Sequence, residues 1–171
     1  MRISTFLVVT AIVFYVSSAW PRPMEVKLES PKFTILIPDL EAFALDPHPN
    51  AATQPTARLL GSAPNGTTLS VLTPTTSPDT TPAQCASWLA GTVVSRYAPD
   101  LDTLQLVKAG NNAYILLFPF KVGGLEQLKA FVVSGNGKGQ CLEVHISRIG
   151  ASAPERQLWL NGFRSVRVQS D

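Results

Sequence analysis

The sequence predicts an α+β domain, in which a predominantly antiparallel β-sheet of six to eight strands is sandwiched between a long and a short α-helix. Three observations support this class. Residues 81–97 carry apolar side chains at helical spacing. Residues 104–149 hold four strand-like segments separated by short glycine- and asparagine-rich connections. Connections this short join antiparallel neighbours, because a parallel crossover needs about a dozen residues or more.

Length and composition limit the possible functions. The chain has 171 residues, of which 45% are hydrophobic and 15% are charged, as expected for one globular domain. The formal net charge is only +2, and the cationic residues are scattered along the chain. The sequence therefore shows no basic footprint for nucleic acid or for an anionic membrane surface.

The N-terminal residues resemble a targeting segment. Arg2 precedes an apolar stretch at residues 3–16, and small residues up to Ala19 follow it. We predict a signal peptide at residues 1–19 and a mature single domain at residues 20–171. The protein would then be periplasmic or secreted, with no stable membrane span after cleavage. The alternative is a segment that stays uncleaved and anchors the chain.

Two cysteines remain in the predicted mature chain, Cys85 and Cys141. In an oxidising compartment an even number of cysteines normally pairs, so we predict a disulfide between them. Two buried thiols would be the better interpretation if the chain were not exported.

The first part of the chain predicts β-strands and irregular loops. Strand-like runs lie between proline-rich connections, and Asn65-Gly66 is a favourable turn for a hairpin. The predicted strands are residues 25–29, 33–37, 58–61 and 67–73, and the predicted loops are residues 46–56 and 74–81.

The long helix has clear start and stop signals. Thr81 is suited to the N-cap, Pro82 to the first helical position, and Gln84 completes a capping box. Pro99 ends the segment. We expect one face of the helix to be buried, formed by Cys85, Trp88, Leu89, Val93, Val94 and Tyr97.

The meander that follows is apolar on both faces. Phe118 and Phe131 alternate with Leu117 and Val132, so both faces need a cover, and two helices are available. Pro119 cannot donate to a β-ladder, which indicates an edge or a bulge. The predicted strands are residues 104–109, 113–122, 125–134 and 140–149, followed by a short helix that ends at Gly162 and a last strand at residues 165–168.

This order of elements resembles the PsbP-like fold superfamily. The residues that carry the likeness are 33–38, the helix at 81–97 and the closing residues 163–168. The resemblance implies an exported domain, and because members of the superfamily are mostly non-catalytic, it favours a binding or assembly role. The sequence shows no matching ion- or partner-binding residues, so none is transferred.

The strand at residues 141–147 contains the candidate binding patch. Its period of two places Glu143, His145 and Ser147 on the same face as Cys141. If Cys141 is bridged to Cys85, this face lies beside the long helix, in a partly dry setting where pKa values shift. The alternative is an ordinary half-exposed strand whose polar residues are merely neighbours.

A second interpretation is a cysteine hydrolase with Cys85 as nucleophile and His145 as base, since a helix N-terminus lowers a thiol pKa. The sequence offers no oxyanion-hole motif beside Cys85 and no zinc, calcium or phosphate-binding spacing, so we predict neither a metal nor a cofactor. The favoured prediction is a non-catalytic protein of the cell envelope or extracellular space that binds an unknown protein or a small ligand.

Overall fold

The computed structural model describes residues 24–37, 44–54, 56–64, 66–110, 112–150 and 153–170. The predicted signal peptide at residues 1–19 lies outside these ranges. The described residues form ten strands and two helices. The strands are β1 (Met24–Glu29), β2 (Lys32–Ile37), β3 (Asp46–Pro47), β4 (Ala57–Ser62), β5 (Thr67–Leu72), β6 (Gln105–Ala109), β7 (Ala113–Val122), β8 (Leu125–Gly135), β9 (Cys141–Ile149) and β10 (Arg167–Ser170). The helices are α1 (Pro82–Tyr97) and α2 (Ala153–Phe163).

The strands form two antiparallel sheets. The larger has seven strands in the order β3-β4-β5-β9-β8-β7-β6, and the smaller has three in the order β1-β2-β10. The predicted α+β class and the antiparallel sheet of six to eight strands are confirmed. Two details differ from the prediction. Strands β1, β2 and β10 make a sheet of their own, and β3 is a two-residue strand within a segment predicted as loop.

The two faces of the larger sheet have different covers. On one face, Ile115, Val132 and Val144 pack in a core shared with the smaller sheet and with α2. On the other face, Phe118 and Phe131 pack against α1. The alternation of apolar residues along β7 and β8 correctly predicted that both faces would be covered. We call the second face the helix face.

The meander depends on turns that favour glycine. Gly123 and Gly124 join β7 to β8 with φ values of 56° and 83°, which suit a two-residue hairpin turn. Strand β6 begins at Gln105, which pairs with Leu117 of β7. Pro119 therefore lies beyond the last pair on that side, at the sheet edge that its missing N–H predicts.

Helix α1 begins with the predicted capping box. The Thr81 amide donates to Gln84 Oε1 at 2.8 Å, and the Gln84 amide donates to Thr81 Oγ1 at 3.3 Å. The helix ends at Ala98, which is left-handed with φ 42°, and whose amide donates to the Val94 carbonyl. Both ends are thus set by local sequence.

One part of the predicted helix face is wrong. Leu89 and Val93 are buried, but Trp88 is 51% exposed and Val94 is also exposed. The apolar set in the sequence spanned more of the helix circumference than a single sheet can cover. Trp88 therefore lies on a flank of α1, outside the packed core.

A disulfide ties α1 to the larger sheet. Cys85 in the first turn of α1 is bonded to Cys141 at the start of β9, with 5.8 Å between their Cα atoms. Gly135 of β8 permits this close approach, since a Cβ added there would lie 3.0 Å from Cys85 Sγ. The bond places the Cys141 side of β9 on the helix face.

Candidate binding site on the helix face

The alternation of β9 presents the predicted patch to the helix face. Leu142, Val144 and Ile146 are fully buried in the opposite core. Glu143, His145 and Ser147 point the other way and are partly buried. The structure therefore places all three predicted residues on one surface, as a strand with a period of two requires.

Neighbouring strands extend this surface into a row of polar side chains. On β5, Thr68 lies opposite Ser147, and Ser70 lies opposite His145. The Thr68 and Ser147 hydroxyls are hydrogen-bonded at 2.8 Å. We call Glu143, His145, Ser147, Thr68 and Ser70 the polar strip.

Helix α1 covers only part of the helix face. It packs mainly on β7 and β8, and touches β9 only slightly, beside the disulfide. Thr68 is exposed, and Ser70, His145 and Ser147 are partly exposed. The polar strip is therefore a half-open surface beside the helix.

The side of α1 that carries Arg96 borders the polar strip. Trp88, Thr92 and Arg96 recur every four residues, so they share one side of α1. Thr92 Oγ1 donates to the Trp88 carbonyl at 3.1 Å. The charge of Arg96 lowers the pKa of both Glu143 and His145, although burial has the larger effect on each. This side of the helix therefore forms one wall of the strip.

On the side of the polar strip away from α1, a groove of about 470 Å³ runs along the outer strands. Leu60 and Ser62 of β4 line it together with Thr68. Leu60 pairs with Ser70, and Ser62 pairs with Thr68, so these residues share the helix face. Because Thr68 belongs to both, the groove and the polar strip form one continuous surface.

His145 is held neutral in the middle of the strip. Its ring stacks on Phe131, with 4.3 Å between centroids and 3° between planes. Burial, followed by the charges of Lys129 and Arg96, lowers its pKa to about 3. Within the described ranges its Nε2 atom is buried and has no hydrogen-bond partner. A buried nitrogen without a partner costs on the order of 1–3 kcal/mol.

Glu143 is shifted in the opposite direction. It lies between Val133 of β8 and Leu72 of β5, both apolar. Burial raises its pKa to about 7, and the charge of Arg96 opposes that rise. Near neutral pH the strip therefore contains a carboxyl group close to half protonated beside an uncharged imidazole.

Lys129 lies under the end of the helix. The residue is only 7% exposed, and its Nζ atom lies 5.0 Å from the Tyr97 ring centroid and 5.5 Å from that of Phe120. Burial and the charge of Arg96 lower its pKa. The two aromatic rings provide the favourable cation–π contacts of this ammonium group.

This arrangement suits binding better than the alternative catalysis. Cys85 is fully buried and its sulfur is bonded to Cys141, so in this form it cannot act as a thiolate. A histidine with a pKa near 3 is also a weak base at neutral pH. In the part of the chain that the structure describes, no three His, Cys, Asp or Glu side chains are grouped as metal ligands, and neither helix is long and apolar enough to cross a membrane.

Sequence reasoning missed the neighbours that set the properties of the strip. Lys129 and Phe131 come from β8, and Arg96 comes from the helix. The short connection between β8 and β9 could have identified Phe131 as a neighbour of His145. Nothing local could have identified Thr68 and Ser70, because β5 and β9 are far apart in sequence.

Solved structures share this fold at low sequence identity. Cyanobacterial PsbP (CyanoP) from Synechocystis sp. PCC 6803 gives a TM-score of 0.57 at 14% identity, over 93% of this chain and 98% of that one. LpqN, involved in cell envelope biogenesis of Mycobacterium tuberculosis, gives 0.52 at 16% identity, over 86% and 91%. A protein from Bacteroides thetaiotaomicron gives 0.50 at 11% identity, over 89% and 50%.

No protein-family model matches the sequence, and the search of curated proteins found no similar one. Identities of 11–16% relate these proteins by fold and not by function. The chain has the PsbP-like fold that its order of elements predicted.

Proposed function

We propose that this chain is an exported, non-catalytic binding or assembly protein, and that its partner lies on the polar strip and the adjoining groove. The observation that carries the proposal is the half-covered helix face, whose floor contains a buried histidine nitrogen without a partner among the described residues. A partner that supplies this hydrogen bond would remove a cost already present in the free protein.

Three features support export. Residues 1–19 have the pattern of a signal peptide. A disulfide such as that between Cys85 and Cys141 persists in oxidising compartments. LpqN, which shares the fold, is involved in cell envelope biogenesis of its own organism. Cleavage after Ala19 would leave the single domain proposed for residues 20–171.

Export is tested by expressing the full chain in a bacterium and fractionating the cells. We expect the protein outside the cytoplasm, with Trp20 as its first residue by N-terminal sequencing. Titration of unfolded, unreduced protein should find no free thiol. Two free thiols together with a cytoplasmic location would contradict this part of the proposal and restore the hydrolase alternative.

Binding is tested by site-specific photo-crosslinking in the native envelope. A photoreactive amino acid at Thr68 or Ser62 should give a discrete adduct, whereas one at Gln169, exposed on the smaller sheet, should not. The adduct at Ser62 should also weaken in the H145A variant. Equal labelling at all three positions, or no adduct at any of them, would count against the proposed surface.

A further inference from the structure

A second cavity lies at the other face of the larger sheet. It has a volume of about 290 Å³ and is lined by residues of α2, of the segment before β6, and of β6, β7 and β8. Its floor is apolar, formed by Leu117, Leu128 and Leu160, all buried in the core opposite the helix face. The cavity is therefore separate from the polar strip.

Two opposite charges line the mouth of this cavity. Arg156 of α2 and Asp102 of the segment before β6 are both lining residues. Among the described residues the side chain of neither makes an ion pair or a hydrogen bond, and the two are not paired with each other. Arg156 is also partly buried. The donors of the guanidinium group and the oxygens of the carboxylate therefore remain available to a ligand in the cavity.

We propose that this cavity binds a small zwitterion with an apolar side chain, of the chemical class of the free aliphatic and aromatic amino acids. Arg156 binds the carboxylate of the ligand, Asp102 binds its ammonium group, and the leucine floor receives its side chain.

Each group that lines the cavity suits the part of the ligand assigned to it. A guanidinium group offers paired N–H donors that match the two oxygens of a carboxylate. An aspartate accepts hydrogen bonds from an ammonium group. Burial of the ligand's apolar side chain against the leucines removes apolar surface from water and so favours binding. The volume of about 290 Å³ is at the lower limit of ligand pockets, which favours a ligand of a few heavy atoms.

Isothermal titration calorimetry with the oxidised mature chain tests the proposal through a set of related compounds. L-leucine and L-phenylalanine serve as the zwitterions. N-acetyl-L-leucine lacks the ammonium group, L-leucinamide lacks the carboxylate, and glycine lacks the side chain. We expect the two zwitterions to bind at least tenfold more tightly than any of the other three.

Substitutions of Arg156 and Asp102 test which group of the ligand each side chain binds. R156Q should weaken L-leucine binding at least tenfold, and R164Q, which changes an exposed arginine of the neighbouring segment, should not. D102N should weaken L-leucine but leave N-acetyl-L-leucine unchanged, and D79N, at an exposed loop position, should affect neither. Circular dichroism and thermal unfolding confirm that each variant is folded, so that a loss of binding reports on the cavity.

Each outcome decides the question. Preference for the zwitterions, with the losses assigned to R156Q and D102N, supports the proposal. Failure of the zwitterions to bind at millimolar concentration overturns it. Equal binding of L-leucine and L-leucinamide, or an affinity unchanged in R156Q, overturns it as well, because the carboxylate would then have no part in recognition.

Discussion

The Phe131 ring lies parallel to the His145 imidazole, with their centroids 4.3 Å apart. The two residues are directly opposite each other on β8 and β9, and Lys129 and Arg96 add positive charge nearby. An imidazole in this position resists protonation for two reasons: its cation would be desolvated, and it would be repelled by the two neighbouring cations. The acid–base behaviour of the polar strip thus follows from its packing.

His145 should destabilise the fold in acid. Its pKa is lowered from 6.5 to about 3 in the folded chain, so between these values the unfolded chain binds more protons, and stability falls as the pH falls. Relative to H145Q, the wild type should lose about 2–3 kcal/mol of unfolding free energy between pH 7 and pH 4. Urea unfolding at both values measures this. Parallel pH profiles for the two proteins would show that His145 titrates normally.

Glu143 should have the opposite effect. Its pKa is raised from 4.5 to about 7, so the folded chain binds the extra proton between these values, and stability falls as the pH rises. The E143Q variant should therefore gain about 2–3 kcal/mol relative to the wild type between pH 4 and pH 8. The control is E25Q, an exposed glutamate on β1. If the two variants showed the same pH dependence, the burial argument for Glu143 would fail.

Lys129 should control the titration of His145. Its charge contributes to the low pKa of that imidazole, so K129M should move the His145 pKa upward. NMR titration of the histidine ring protons measures the change, and H48Q assigns the signals because the chain has only two histidines. K121M, which removes an exposed lysine on β7, is the matched control. A His145 pKa unaffected by K129M would contradict the electrostatic explanation.

The disulfide should contribute strongly to stability. The bond joins residues 56 positions apart, and restricting a loop of this length in the unfolded chain is worth about 4 kcal/mol in the entropy model. The C85A/C141A double variant should lose stability of this order in urea under non-reducing conditions. A loss below about 1 kcal/mol would show that the contacts of α1 alone hold it on the sheet.

Truncating a side chain on the buried face of α1 should reduce stability more than truncating one on its exposed flank. Leu89 is buried against the sheet, whereas Trp88 is half exposed. L89A should cost about 2–4 kcal/mol, and W88A less than about 1 kcal/mol. Thermal or urea unfolding compares them. A large loss for W88A would place Trp88 in the core and remove it from the wall of the polar strip.

Local signals predicted much of this fold. The capping box at Thr81, the glycine turn at residues 123–124 and the alternation along β9 each depend on residues close in sequence. Pairing between segments that are distant in sequence was harder to predict. The pairing of β10 with β2 makes a second sheet that no local pattern indicates. The position of Trp88 depends on how wide a helix face the sheet can cover.

The candidate site, too, was predictable only where it depends on residues close in sequence. The shared face of Glu143, His145 and Ser147 follows from strand geometry alone. The large pKa shifts of Glu143 and His145 follow mainly from burial by other elements, and for His145 also from the charges of Lys129 and Arg96. Likewise, Arg156 and Asp102 share a cavity only because α2 packs beside the segment before β6.

The smaller sheet also constrains when this chain can fold. Strands β1 and β2 are made first, but the strand that completes their sheet is β10, and α2 beside it is also made late. Until those residues leave the ribosome, Ile35 and Ile37 lack part of their final cover. The core therefore closes only late in synthesis, once the last strand of the smaller sheet has been made.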